Sequence, residues 1–493
     1  MESMNIVPQY WLTRFCFQRA LGFVYFIAFL IVVNQFHPLL GSRGLLPARL
    51  FLKRVEFWET PSLFWFNCSD SFISVVGWIG LFLSVLAVTG LSDRFGIFFS
   101  VTVWALLWLF YLSFVNLGQV FYGFGWETLL LETGFLAIFF GSSDMAPPKI
   151  IIWLLRWVLF RIILGAGLIK IRGDECWRNL TCMYYHYETQ PLPNPLSWYF
   201  HWLPRWFHRL ETLSTHFVEL IVPWGVFIPS SLIAASAGAL IAVFQILLIF
   251  SGNLSWLNYI TLVLCIPCFD DRILSRIIPI QIPSVTPIPG VYQSILILLT
   301  GLILLLSILP AINLFSRRQM MNASFEPLHI VNTYGAFGSV TKQRTEIIIE
   351  GTDDSVITSA TQWRAYEFKG KPGNVSRAPC IVSPYHWKLD WQMWFAAMTD
   401  YLYHPWILNL VAKLLEGDQA ALSLIADNPF PEDPPKYIRA ELYLYQFTNS
   451  KEKRKTGNWW KRSYVRQYLP PLSLHSYAFR ELLREQGWLD ESA

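Results

Sequence analysis

Long apolar runs dominate positions 1–315, and shorter mixed segments follow from 316 to 493. A bilayer core needs about 20 mostly apolar helical residues. Runs near 19–35, 72–91, 95–116, 126–142, 150–171, 212–229, 231–250, 254–269 and 290–313 approach that length. The pattern predicts a polytopic α-helical membrane protein of about eight or nine spans with a C-terminal soluble β-rich α+β domain. The run at 126–142 carries Glu127 and Glu132, and the run at 254–269 is short. The first run lacks a small-residue cleavage site and is read as a span rather than a leader.

After Arg317-Arg318 the periodicity changes. The β-branched stretch 345–350 ends in Gly351 and Asp353-Asp354, and 362–369 ends in Gly370-Lys371-Pro372-Gly373, so both read as strands. The segments 390–401, 405–416, 418–426 and 473–486 read as helices, and 437–447 alternates like a half-buried strand. The charged stretch 451–455 reads as a solvated turn. This half is long enough to bury a core, by itself or against the membrane rim.

Composition sharpens the class. Charged residues make up 15% of the 493 residues, aromatics 17%, and mean hydropathy is +0.38. Disorder, a fibrous repeat and a small disulfide scaffold are excluded. A net charge of +4 is not a nucleic-acid footprint. The basic residues that flank the predicted spans gather on the side that carries the C-terminal half, which by loop charge places that half in the cytoplasm.

The loop 172–209 joins aromatic and proline residues with few charges; it reads either as an interfacial loop whose rings lie on the headgroups or as a structured cap over the bundle that touches a substrate or client. Cys176 and Cys182 flank one short turn of it and are a possible disulfide if the loop faces an oxidising compartment. Cys265 and Cys268 form a C-x-x-C inside an apolar run without a second ligand pair, and the loop histidines His186, His201 and His208 lack ligand spacing; no metal and no cofactor are expected. Ionisable residues inside spans carry the candidate chemistry: Glu127, Glu132, Arg156, Arg161, Lys170, His216 and Glu219. Glu127 and Glu132 are about 140° apart on one helix, so they need not share a partner. Pairing between helices is the plainer role for all of these charges. The soluble half holds no Gly-rich phosphate loop, no HExxH and no G-x-S-x-G. Sequons begin at Asn67, Asn179, Asn253, Asn322 and Asn374.

Several long segments then resemble one family: GSRGLLPARLFL (41–52), LIKIRGDECWRNLTCMYYHYETQPLPNPLSWYFHWLP (168–204), LHIVNTYGAFGSVTKQRTEIIIEGT (328–352), WRAYEFKGKPG (363–373) and APCIVSPYHWKLDWQMWFAAM (378–398). Together they resemble the lipase maturation factor family over nearly the whole chain. The resemblance implies a protein of the endoplasmic reticulum membrane that helps secreted lipases fold and assemble. It also implies a C-terminal domain in the lumen, engaging client, against the loop-charge count. In a bacterial host the equivalent place is the inner membrane. The membrane half is also distantly similar to vitamin K-dependent carboxylases, where a lysine at a helix end is a catalytic base; Lys170 in GAGLIKI is the local match.

Three readings follow. A non-enzymatic maturation factor takes membrane lipid and a secreted client as partners, and no nucleic acid. Its client contacts are drawn from Trp177, Tyr184, Tyr185, Tyr187 and Trp198 in the loop, and Tyr334, Phe337, Trp363, Tyr385, Trp391 and Trp394 beyond it. A carboxylase-like membrane enzyme instead requires Lys170, Glu127 and Glu132 to converge on one water-accessible pocket. A transporter calls for inverted repeats, and no internal repeat is visible.

Overall fold

The fold is described from a computed structural model, over residues 9–489. Among the described residues six helices are long and apolar enough to cross a membrane: Trp11–Leu40, Asp70–Thr89, Gly96–Leu117, Lys149–Arg172, Ser231–Ser251 and Gly290–Phe315. The three remaining expected spans are shorter. The run at 126–142 is the 14-residue helix Gly125–Ile138, buried along almost its whole length. That at 212–229 is the end of the amphipathic helix Arg205–Leu220 and a 3-10 continuation, Val222–Phe227. That at 254–269 is Leu257–Cys268.

Contacts sort the helix ends into two layers. At one end the amides of Trp11 and Leu12 donate to Asp271, Arg14 donates to the carbonyl of Met145, and Ser231 donates to Asp270. At the other, Gln35 donates to the carbonyl of His386, Asn116 to that of Pro327, Gln190 to that of Ser251 and Trp256 to that of Trp126. The chain therefore runs back and forth between a layer holding its start and a layer holding its C-terminal half.

Local signals set the helix limits. Ser69 caps Asp70–Thr89 through its side chain, and Gly90 ends it in the left-handed region at φ 74°. Close packing inside the bundle needs small residues. A Cβ on Gly80 would meet the Phe29 ring at 2.2 Å, so the first and third helices of the chain approach through that position.

The C-terminal half holds a four-stranded antiparallel sheet in the order β2-β1-β5-β6. Its strands are β1 (Arg344–Thr352), β2 (Arg364–Ala365), β5 (Tyr437–Phe447) and β6 (Trp460–Leu472). A second, two-stranded sheet pairs β3 (Glu367–Phe368) with β4 (Ile425–Asp427). Ile347 faces Leu442 and Ile349 faces Ala440 in the β1–β5 register. Helices Lys388–Ala396 and Trp406–Leu415 lie between this sheet and the bundle. One continuous hydrophobic core runs from Phe17 and Tyr25 in the first helix to Ile347, Trp406 and Leu469.

Several local expectations change here. The segment 362–369 is two dipeptide strands rather than one strand. Residues 418–426 form a four-residue helix, Gln419–Leu422, and then β4. The stretch 451–455 lies in the helix Ser450–Thr456, started by an Asn449–Glu452 capping box. Strand β6 has no counterpart among the expectations: its residues 461–467 are all exposed, so the alternation that marks a half-buried strand is missing.

Candidate functional site

The seam between the bundle and the C-terminal half is where the buried charges meet. Glu132, midway along Gly125–Ile138, is bonded to Arg161 of Lys149–Arg172. Its second oxygen accepts from the Asn332 amide at 3.0 Å, the Asn332 side chain at 3.1 Å and the Tyr334 hydroxyl at 2.6 Å. Arg161 also donates to the Asn332 carbonyl at 2.6 Å. The irregular segment 328–335 is thereby drawn into the bundle. Gly165 makes room for it, since a Cβ there would meet the Tyr334 carbonyl at 2.4 Å.

Glu127 pairs across the seam with Lys388, at 2.8 Å and with both side chains wholly buried. Tyr111 donates to the same carboxylate, and the Lys388 ammonium also meets the Phe121 carbonyl at 3.1 Å and the Tyr122 ring face at 3.5 Å. Burial pulls the Lys388 pKa down against the opposing pull of Glu127. Beside it, His386 is pushed well below the usual range by burial and then by Lys388, so it is neutral. It sits among the rings of Phe124, Trp126, Trp256 and Trp391.

Lys170 forms a third, separate pair with Glu219, with the Trp177 ring 5.2 Å from its ammonium. Glu127, Glu132 and Lys170 thus belong to three clusters that share no partner. The common pocket a carboxylase-like base would need is not formed by them. Among the described residues no group of three His, Cys, Asp or Glu could hold a metal ion.

The loop 172–209 folds into three short helices, Glu175–Arg178, Met183–Thr189 and Pro195–His201. Cys176 and Cys182 are joined, with Cα atoms 4.8 Å apart. The loop is bound to the C-terminal half by Arg344, which donates to the carbonyls of Glu188, Gln190 and Pro191 and pairs with Glu346 at 2.5 Å. Lys371 closes this cluster on Glu346 at 3.0 Å.

The aromatic candidates divide by burial. Trp177, Tyr187, Trp198, Tyr334 and Trp391 are buried. Their polar atoms are used internally: Trp177 donates to the Phe337 carbonyl at 2.8 Å, Trp198 to that of Thr448 at 2.8 Å and Tyr187 to Glu211 at 2.6 Å. Tyr184, Tyr185, Phe337, Trp363, Tyr385 and Trp394 are half-buried. Of these, Trp363 lies under the Arg439 guanidinium at 4.3 Å, and Tyr385 accepts from Asn34 and Gln35. More exposed are Trp58 and Phe66 in the bundle half, Tyr199 and Trp202 in the 172–209 loop, and Ile381, Leu402, Tyr403 and Tyr464 on the C-terminal half.

Lys388, Asn332, Arg344, Glu346 and Lys371 are the structural anchors that sequence reading passed over. A hydropathy scan marks a charge only inside an apolar run. These lie in mixed segments, where a charge reads as surface.

Two family models match the chain. One, described as the lipase maturation factor transmembrane domain, covers residues 12–276. The other, described as the lipase maturation factor C-terminal domain, covers residues 330–470. Lipase maturation factor 1 of Homo sapiens is 44% identical over 523 residues, covering 97% of this chain and 90% of that protein. The Mus musculus protein of the same name is 45% identical over 518 residues, with the same coverage. Lipase maturation factor 2 of Rattus norvegicus is 30% identical over 613 residues, covering 97% of this chain and 85% of that protein. No solved structure matches.

Proposed function

This chain belongs to the lipase maturation factor family, and from that premise we propose how an integral membrane protein of this build matures lipases. It is a membrane-embedded maturation factor for lipases. The bundle holds the protein at the membrane, and the C-terminal half with the 172–209 loop forms one rigid platform on its rim. The observation that carries this reading is the seam itself. Buried pairs Glu127–Lys388 and Glu132–Arg161, with Asn332 and Tyr334 drawn between helices, fix the platform to the bundle.

The platform lies in the lumen of the endoplasmic reticulum, where secreted lipases fold. The bonded Cys176–Cys182 pair favours an oxidising compartment. Six long apolar helices hold the platform at the membrane. The client is held through aromatic and aliphatic side chains on the platform. Tyr184, Tyr185, Phe337, Trp363, Tyr385 and Trp394 contribute their half-buried rings, and Leu402, Tyr403 and Ile381 their exposed side chains. The role needs no covalent step: covering apolar surface on a folding intermediate slows its loss to aggregation.

The test is rescue of a secreted lipase in cells lacking their own maturation factor. Expression of this chain is expected to restore lipase activity per unit of lipase protein in the medium. Leu402→Asp with Tyr403→Asp is expected to reduce that ratio while the protein keeps its level and its place in the membrane. Unchanged lipase activity with the intact chain present would overturn the reading.

A further inference from the structure

Where the first helix ends and Asp70–Thr89 begins, the fold brings His37 of the first helix to Asp70 and Ser74 of the next. The Ser74 hydroxyl oxygen lies 2.7 Å from Nε2 of His37. Nδ1 of the same ring lies 3.7 Å from Oδ1 of Asp70. Asp70 is itself held in place: the Ser42 amide donates to Oδ1 at 2.9 Å and the Ser42 hydroxyl to Oδ2 at 2.6 Å. All of them face one open cavity of about 390 Å³, which Arg43 and Ala420 also line.

We propose that Ser74, His37 and Asp70 are a nucleophile, base and carboxylate that cleave a carboxylic ester carried by a membrane amphiphile. The Ser74–His37 distance is within reach for proton transfer, and the order hydroxyl, imidazole, carboxylate is the one such chemistry requires. Ser74 and Asp70 stand one helical turn apart, so both lie on one face of their helix. His37 occupies the last turn of the first helix, which brings its ring over the start of Asp70–Thr89.

The steps balance. Ser74 Oγ bonds to the ester carbonyl carbon as its proton passes to His37 Nε2. The carbon–oxygen bond to the alcohol breaks, and the alcohol leaves with that proton. Water then adds to the acyl-serine, giving a proton to His37, which returns it to Ser74 Oγ as the carboxylic acid departs. Asp70 faces Nδ1 and balances the imidazolium charge. Arg43 lines the same cavity with its side chain 76% exposed, and is the positive charge the proposal assigns to the developing oxyanion.

The substrate class comes from the surroundings. Trp78, four residues beyond Ser74 on the same helix face, is 59% exposed, with Val75 and Ile79 exposed beside it. The helix is one of those apolar enough to span the membrane. An acyl chain lying against Trp78 places its ester beside Ser74 at the rim. This activity stands apart from the maturation role, and its failure leaves that role untouched.

The experiment uses the full chain purified in detergent, a fluorophosphonate probe and p-nitrophenyl octanoate. Mass spectrometry of the unsubstituted protein is expected to find the phosphonyl adduct on Ser74. Ser74→Ala and His37→Gln are each expected to lower ester hydrolysis at least ~100-fold. Asp70→Asn is expected to lower kcat with little change in KM and to alter the pH profile. No adduct on Ser74 of the intact protein would overturn the proposal, leaving the Ser74–His37 contact as a hydrogen bond that ties two helices. Equal hydrolysis by Ser74→Ala at unchanged melting temperature would overturn it as well.

Discussion

Lys388 and Glu127 stand 261 positions apart and meet at 2.8 Å in a site closed to solvent. Removing one charge of such a pair strands the other, at a cost of about 3–5 kcal/mol. Lys388→Met is therefore expected to lower the melting temperature in detergent sharply. Adding Glu127→Leu is expected to recover most of that loss, because it removes the stranded carboxylate. Equal losses in the single and double variants would show that the pair does not set stability. Histidines supply a second residue-scale outcome. Burial lowers the pKa of His186, His201 and His329 to about 4 each, against about 6.5 in an unfolded chain. The unfolded chain then binds more protons as pH falls, so stability present above pH ~6.5 is lost progressively toward pH ~4. Melting temperatures across that window are expected to fall with pH, and less steeply in His329→Gln, provided its neutral amide keeps the bond to Asn116.

The 172–209 segment shows what an element can hide. Its composition left open a loop on the headgroups or a structured cap; it folds into three short helices fixed by Arg344 and by the capping box of Asn194. Cys176 and Cys182 close its first turn. Replacing both with Ser is expected to cost ~2 kcal/mol, the loop-closure entropy of a short ring, read as a lower melting temperature that reductant reproduces in the unsubstituted protein. The helix Arg205–Leu220 continues this segment with Trp206, Leu210, Leu213 and Phe217 exposed along one side, a face suited to lipid. Strands β1 and β5 were legible because each carries β-branched or alternating apolar residues facing the core. Strand β6 was not, since an edge strand with Lys461, Arg462 and Arg466 presents charge where a central strand presents apolar side chains.

At the scale of the molecule, the two halves share one hydrophobic core. The C-terminal half expressed alone from residue 316 is accordingly expected to be protease-sensitive and aggregation-prone, because His386, Lys388 and Tyr334 lose the bundle partners that bury them. A stable, cooperatively melting fragment would contradict this. Orientation has its own readout. Asn67, Asn179, Asn322 and Asn374 are exposed, and all lie toward the platform layer. Asn253 is buried, donating to the Cys380 carbonyl at 2.8 Å and accepting from the Val382 amide at 2.8 Å. With the platform in the lumen, endoglycosidase digestion is expected to shift the protein's mobility, and Asn253→Gln to leave the shift unchanged. Absence of any glycan would point to the opposite orientation, the one the loop-charge count favoured.

Hydropathy, a property of local stretches, was enough to mark a membrane bundle followed by a β-containing half. The long, irregular motifs from GSRGLLPARLFL to APCIVSPYHWKLDWQMWFAAM were enough to mark the family. Neither could say which charge faces which, because partners such as Glu132 and Asn332 or Glu127 and Lys388 are joined only once the chain has folded back on itself. The same holds for Ser74 and His37, contributed by separate helices. Periodicity reports the face a residue occupies; the partner on that face is set by packing between distant segments, and only the tertiary structure decided it.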